Sequence, residues 1–168
     1  MTQIDKKVDW CLNKAKRELA ENKLHRGLLQ FPPNQEQARK HLVKAQHNLN
    51  AALFFDEHGY SDWSASAFFY CLYHYLLAIL RKHGYESRNQ ECTFAVIEML
   101  RKDGIIEIQE EHLQMLLISK AKETDFSIIQ NRENFQYGVD INYTNRNLFN
   151  ASITACKTLL DRSQQIVG

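Results

Sequence analysis

The feature that most limits what this chain can fold into is the placement of its helix breakers. Its 6 Gly and 2 Pro are scarce inside the periodic segments and gather at their ends. Gly59, Gly84 and Gly104 each follow an apolar run, and the adjacent Pro32 and Pro33 separate the first such run from the second. Residues that cannot continue a helix, set at the ends of stripes spaced by three and four, punctuate a string of helices.

The first stripe is Ile4, Val8, Cys11 or Leu12, Ala15 and Leu19, ending by about Asn22. The second segment, about Gln35 to His58, places Ala38, Leu42, Ala45, Leu49, Ala52 and Leu53 on one face. Gly59 and Tyr60 alone separate it from a third helix expected from about Asp62 to His83, with Ser61 or Asp62 as N-cap. So short a link folds the two helices back on each other. The third segment is apolar nearly all round and is predicted to be the central helix. A polar loop is expected over Tyr85 to Gln90, then a helix carrying Phe94, Val96, Ile97, Met99 and Leu100 that stops at Gly104, and another from about Glu107 to Lys122. A helical turn or two is predicted near Asp125 to Glu133, a break at Tyr137-Gly138, and a last helix capped by Thr144. No strand pattern or internal repeat stands out. The prediction is an all-α, antiparallel up-and-down helical bundle of five to six helices, with residues 1–34 as a helical extension packed on a bundle of residues 35–168.

A chain of 168 residues can bury a core without a metal or disulfide. Lys and Arg number 21 against 20 Asp and Glu, but residues 1–50 sum to +5, residues 51–100 to −3 and residues 101–168 to −1. The near-neutral total excludes a broad, unspecific nucleic-acid coat, and the basic first third reads most simply as a solvated face. Cys11, Cys71, Cys92 and Cys156 have no metal-ligand spacing, so free buried thiols and a cytoplasmic location are expected. Neither a signal peptide nor a membrane span is read from the sequence.

No Gly-rich phosphate loop, zinc-protease helix, paired-Cys motif or nucleophile elbow is present. The seven His are scattered, and no metal site or cofactor is expected. Nine of the 18 aromatics fall between Phe54 and Tyr75, where core packing is a simpler reading than a base-stacking platform. His74 sits within that aromatic helix, where burial would keep its imidazole neutral, suiting either a hydrogen-bonded core or a general base. The stretch from Asn131 to Asp140 packs Arg132, Glu133, Asp140, two amides and Tyr137 into weak apolar periodicity. It is read either as a functional cluster or as a capped helix end held by ion pairs.

Three segments carry a family resemblance: Ala38 to Ala45 with Ala51 to Phe55; Trp63 through His74 to Leu80, followed by His83-Gly84-Tyr85-Glu86-Ser87; and Asn131-Arg132-Glu133 running to Tyr137-Gly138. Together they resemble the HEPN superfamily, small all-α domains of prokaryotic toxin, defence and nucleotidyltransferase-associated systems. The resemblance covers roughly residues 35–165.

It implies a homodimer, a nucleotidyltransferase as partner protein, and RNA or a nucleotide as ligand. Active members resemble metal-independent ribonucleases in which an Arg is followed, after four to six residues, by a His. An Arg can grip the scissile phosphate while a neutral imidazole takes the 2′-hydroxyl proton. Here Arg132 is followed at those spacings by Tyr137, Gly138 and Val139, and no other Arg has a His at that distance. Tyrosine is a poor base at neutral pH. The resemblance therefore implies a binding module first, with Arg132, Tyr137 and His74 as catalytic candidates and Asn131, Glu133, Asp140 and His41 as binding candidates. A ribonuclease toxin using Arg132 with Tyr137 or a relocated His is the alternative, and a structural adaptor without ligand is another.

Overall fold

A computed structural model describes residues 2–108 and 128–167. Among them are six helices: α1 (Gln3–Ala20), α2 (Gln35–Glu57), α3 (Ser61–Lys82), α4 (Gln90–Lys102), α5 (Ile128–Tyr137) and α6 (Arg146–Val167). The all-α expectation holds. The helix expected over Glu107 to Lys122 lies, beyond Ile108, outside the described residues. The described residues form two compact units, the first built from residues 2–41 and 76–108, the second from residues 42–75 and 128–166.

In the first unit α1 begins with a capping box: the Thr2 hydroxyl accepts the Asp5 amide at 3.4 Å and the Asp5 carboxylate accepts the Thr2 amide at 2.7 Å. Its buried face is Val8, Cys11 and Ala15, and Asn22, in the left-handed region at φ 56°, turns the chain out of the helix. The α4 helix, capped by the Asn89 side chain on the Cys92 amide, runs antiparallel to α1: Lys102 reaches Asp5 at 3.3 Å while Lys7 reaches Glu91 at 2.6 Å.

Two expectations are corrected in this unit. Cys11 and Cys92 are not free thiols; they form a disulfide, with Cα atoms 5.8 Å apart, that joins α1 to the first turn of α4. Residues 85–90 are not wholly loop, since β2 (Tyr85–Ser87) pairs antiparallel with β1 (Leu28–Gln30), with Leu28 opposite Ser87 and Gln30 opposite Tyr85. Three-residue strands are too short to show period-two alternation, so their pairing is a tertiary event. Gly27 is required beside β1, because a Cβ there would lie 2.5 Å from the Cys11 carbonyl oxygen. Gly84, at φ +81°, turns α3 into β2 while its carbonyl accepts the Phe31 amide at 2.7 Å.

The second unit shows the up-and-down order. The Ser64 hydroxyl donates to the Ala52 carbonyl at 2.7 Å, closing the α2–α3 hairpin. Arg132 on α5 packs on Phe69, whereas Phe135, three residues later, lines a groove with Asp62, Trp63 and Ser66, so α5 runs back along α3. Residues 149 and 156 of α6 meet Phe68, and Arg146 pairs with Asp56 at the end of α2, so α6 runs parallel to α3 and antiparallel to α2.

Both expected N-caps shift. Ser61 is the first residue of α3, and its hydroxyl instead accepts the Tyr143 amide at 2.8 Å. Asn145, one residue beyond Thr144, caps α6 by accepting the Leu148 amide at 3.0 Å. Cys71 and Cys156 are the free, buried thiols, and a hydrogen bond between them together with burial pushes the Cys156 thiol well above its ordinary pKa. By length and composition α3 could cross a membrane, but 67% of that apolar stretch is buried inside the protein, as befits a core helix.

Candidate functional site

The α5 helix explains why residues 131–140 show so little apolar periodicity. The helical spacing is kept, but polar side chains occupy two of its inward positions. Ile128 is buried, the Asn131 amide donates to the Tyr143 hydroxyl, Arg132 lies over Phe69, and the Phe135 ring rests 4.9 Å from that of Tyr143. Tyr143 meets Phe149 at 5.2 Å and Phe149 meets Phe68 at 5.1 Å, each edge to face, so a ladder of rings fixes α5 against α3 and α6.

Arg132 is held rather than free. Its guanidinium carbon is 4.1 Å from the Phe69 ring centroid, its side chain is 13% exposed, and Nη2 is 3.8 Å from Glu133 Oε1. Its Nε is buried without a hydrogen-bond partner. Tyr137 closes the same helix, five residues and about 140° farther round the axis, and is 79% exposed. Within one chain Arg132 and Tyr137 therefore point in different directions. Asp140 is exposed in the segment after α5.

Between α3 and α5 runs a groove of about 290 Å³, with Asp62, Trp63, Ser66 and Tyr70 of α3 on one wall and Phe135 and Gln136 of α5 on the other; Arg132 is not among its lining residues. Trp63 is 61% exposed and Tyr70 46%. Of the nine aromatics between Phe54 and Tyr75, Phe68, Phe69 and Tyr75 are buried and Phe55 and Tyr73 half-buried, so packing engages five of them and leaves four exposed. The spacing of 63, 66 and 70 could have found this wall, since it is one helical face.

His74 continues that face one turn past Tyr70. It is half-buried, and burial first, then the charge of Lys44, hold its imidazole below the ordinary histidine pKa. Because α3 and α5 are antiparallel, Arg132 and His74 both lie toward the Tyr70 end of the groove. His41 is elsewhere: it belongs to the first unit and lines a cavity of about 200 Å³ with Arg81, Glu86 and Arg88. Among the described residues no three His, Cys, Asp or Glu gather as a metal-ligand set.

The HEPN domain family matches residues 38–167, from the first buried alanine of α2 to the last residue of α6. The chain belongs to the HEPN family. A comparison with curated proteins finds no match. Within this HEPN domain Arg132 and Tyr137 both stand on α5, the described helix that precedes α6. The α1 helix and the β1 strand precede the matched region.

Proposed function

We propose that this HEPN protein is a non-cleaving binding module for RNA or a nucleotide, acting as a homodimer with a nucleotidyltransferase partner in a toxin–antitoxin type of system. The observation that carries the ligand reading is the groove between α3 and α5, where exposed Trp63 and Tyr70 face Phe135 across about 290 Å³. Exposed rings beside such a space suit the faces of a nucleobase, and base-on-ring stacking tolerates any base. Asp62 and Gln136 supply an acceptor and a donor for base edges.

Trp63 reports on its own groove once Trp10, the other tryptophan, is replaced by Phe. Titration of Trp10→Phe protein with AMP or a short single-stranded RNA is expected to quench Trp63 saturably, and Tyr70→Ala or Phe135→Ala to weaken binding about tenfold, the loss of one stacking partner. Absence of saturable quenching overturns the ligand reading. Light scattering at twice the 19.7 kDa chain mass supports the dimer, and monomer at all useful concentrations removes it.

The depressed pKa of His74 keeps the ribonuclease alternative in view, since a neutral imidazole can accept a proton. Labelled RNA incubated with the protein in EDTA separates the readings. Intact RNA supports the binding module; cleavage lost in both Arg132→Ala and His74→Ala establishes the enzyme.

A further inference from the structure

The first unit contains a second recess, independent of the α5 groove, whose chemistry is that of an anion site. It is open, about 530 Å³ in volume, and lies between Leu24, His25 and Arg26 on one side and Arg88 with the first turn of α4 on the other. The Asn89 cap takes up the Cys92 amide at 3.1 Å, and the amides of Gln90 and Glu91, at the start of a 13-residue helix, have no carbonyl within the helix to meet. They form the positive end of the helix dipole.

His25 is the second observation. It is only 4% exposed, yet neither ring nitrogen has a hydrogen-bond partner. Glu86 Oε1 lies 3.6 Å from Nε2, which is an ion-pair separation and too long for a hydrogen bond. A buried ring left in that state needs an explanation, and an unfilled ligand position supplies one.

The surrounding charges leave a positive excess. Glu86 is shared among His25, Arg81 at 2.9 Å and Arg88 Nε at 3.6 Å, and Glu91 is taken up by Lys7 at 2.6 Å. Arg26 forms no ion pair among the described residues. One carboxylate thus answers Arg81 and Arg88, and Arg26 remains unneutralised on the rim.

We propose that this recess binds the terminal phosphate of a small phosphorylated molecule, up to the size of a nucleoside monophosphate. Arg26 and Arg88 approach from opposite sides and present planar donor forks to phosphate oxygens, with the Gln90 and Glu91 amides donating from beneath. His25, at the edge of this donor set, supplies a further ring nitrogen to the bound group. The volume exceeds that of a bare oxyanion, and Leu24, 71% exposed, offers apolar contact to the organic part.

The test is a titration of full-length, isotope-labelled protein with AMP, ribose 5-phosphate and inorganic phosphate, read by NMR at the Gln90 and Glu91 amides and the His25 ring. Saturable shifts there are expected with all three, retained in Arg132→Ala, weakened about tenfold or more in Arg26→Ala and Arg88→Ala, and partly restored in Arg88→Lys. Arg88→Lys also guards against a variant that merely misfolds. No saturable shift at these positions, or shifts of undiminished affinity in both alanine variants, overturns the site. Shifts confined to the α3–α5 groove overturn it too while leaving the proposed function intact.

Discussion

The guanidinium carbon of Arg132 lies 4.1 Å from the centroid of the buried Phe69 ring. Such a stack is worth about 0.5–2 kcal/mol when partly desolvated, and the planar arginine head cannot be replaced by a lysine point charge. Arg132 is therefore structural whatever else it does. A double-mutant cycle of Arg132→Ala with Phe69→Leu, followed by urea unfolding, is expected to give a coupling of about 1 kcal/mol. Arg132→Lys should keep less than half of it. A coupling near zero would show that the stack contributes nothing.

The disulfide between Cys11 and Cys92 closes a separation of 81 residues. Reduction, or the pair Cys11→Ser and Cys92→Ser, is expected to cost about 2–4 kcal/mol, mostly by releasing the unfolded chain. Thiol counting on the native oxidised protein should find Cys71 and Cys156 unreactive until it unfolds, since both are buried. Four reactive thiols in native protein would contradict both statements.

Asp56 and Arg146 make a two-pronged pair at 2.7 and 2.8 Å. The hydrogen bonds from Arg146 hold the Asp56 carboxyl below its ordinary pKa. A carboxyl depressed by folding stabilises the protein above its unfolded pKa of about 4 and loses that contribution as pH falls through the folded value. Asp56→Asn should cost up to about 1 kcal/mol at pH 7, the range for a partly exposed pair, and the difference from the parent should vanish in acid. An offset that stays constant down to low pH would rule this out.

Burial pushes the Tyr75 hydroxyl up to about 12, with Arg162 opposing weakly, and burial also raises Tyr143. A phenol raised by folding favours the neutral form, so its contribution is complete below the unfolded pKa of about 10 and is lost as pH rises through the folded value. Absorbance titration at alkaline pH should show a late-ionising fraction, and Tyr75→Phe should diminish it. Uniform titration of all seven tyrosines would refute the burial argument.

The sequence carried the helices because helical order is local. Apolar residues three and four apart, ended by Gly59, Gly84 and Gly104, marked α2, α3 and α4 to within a few residues. Caps were less legible: Ser61 and Thr144 have the right chemistry, but Ser61 bonds to Tyr143 from another part of the chain, and Asn145 stands one residue nearer the helix. The α5 helix was only partly visible, because Asn131 and Arg132 occupy inward positions that a hydrophobic pattern reads as exposed.

Sequence alone determined that this is an all-α chain with a central aromatic helix, and three segments, the aromatic helix around His74 foremost, pointed to its family. Tertiary structure decided which side chains meet. It joined Cys11 to Cys92, paired β1 with β2, stacked Arg132 on Phe69, turned Tyr137 away and opened the groove beside Trp63 and Tyr70. The division follows from range: a helix is fixed by bonds four residues apart, whereas these contacts join positions separated by tens of residues, and only the packed chain brings such positions together.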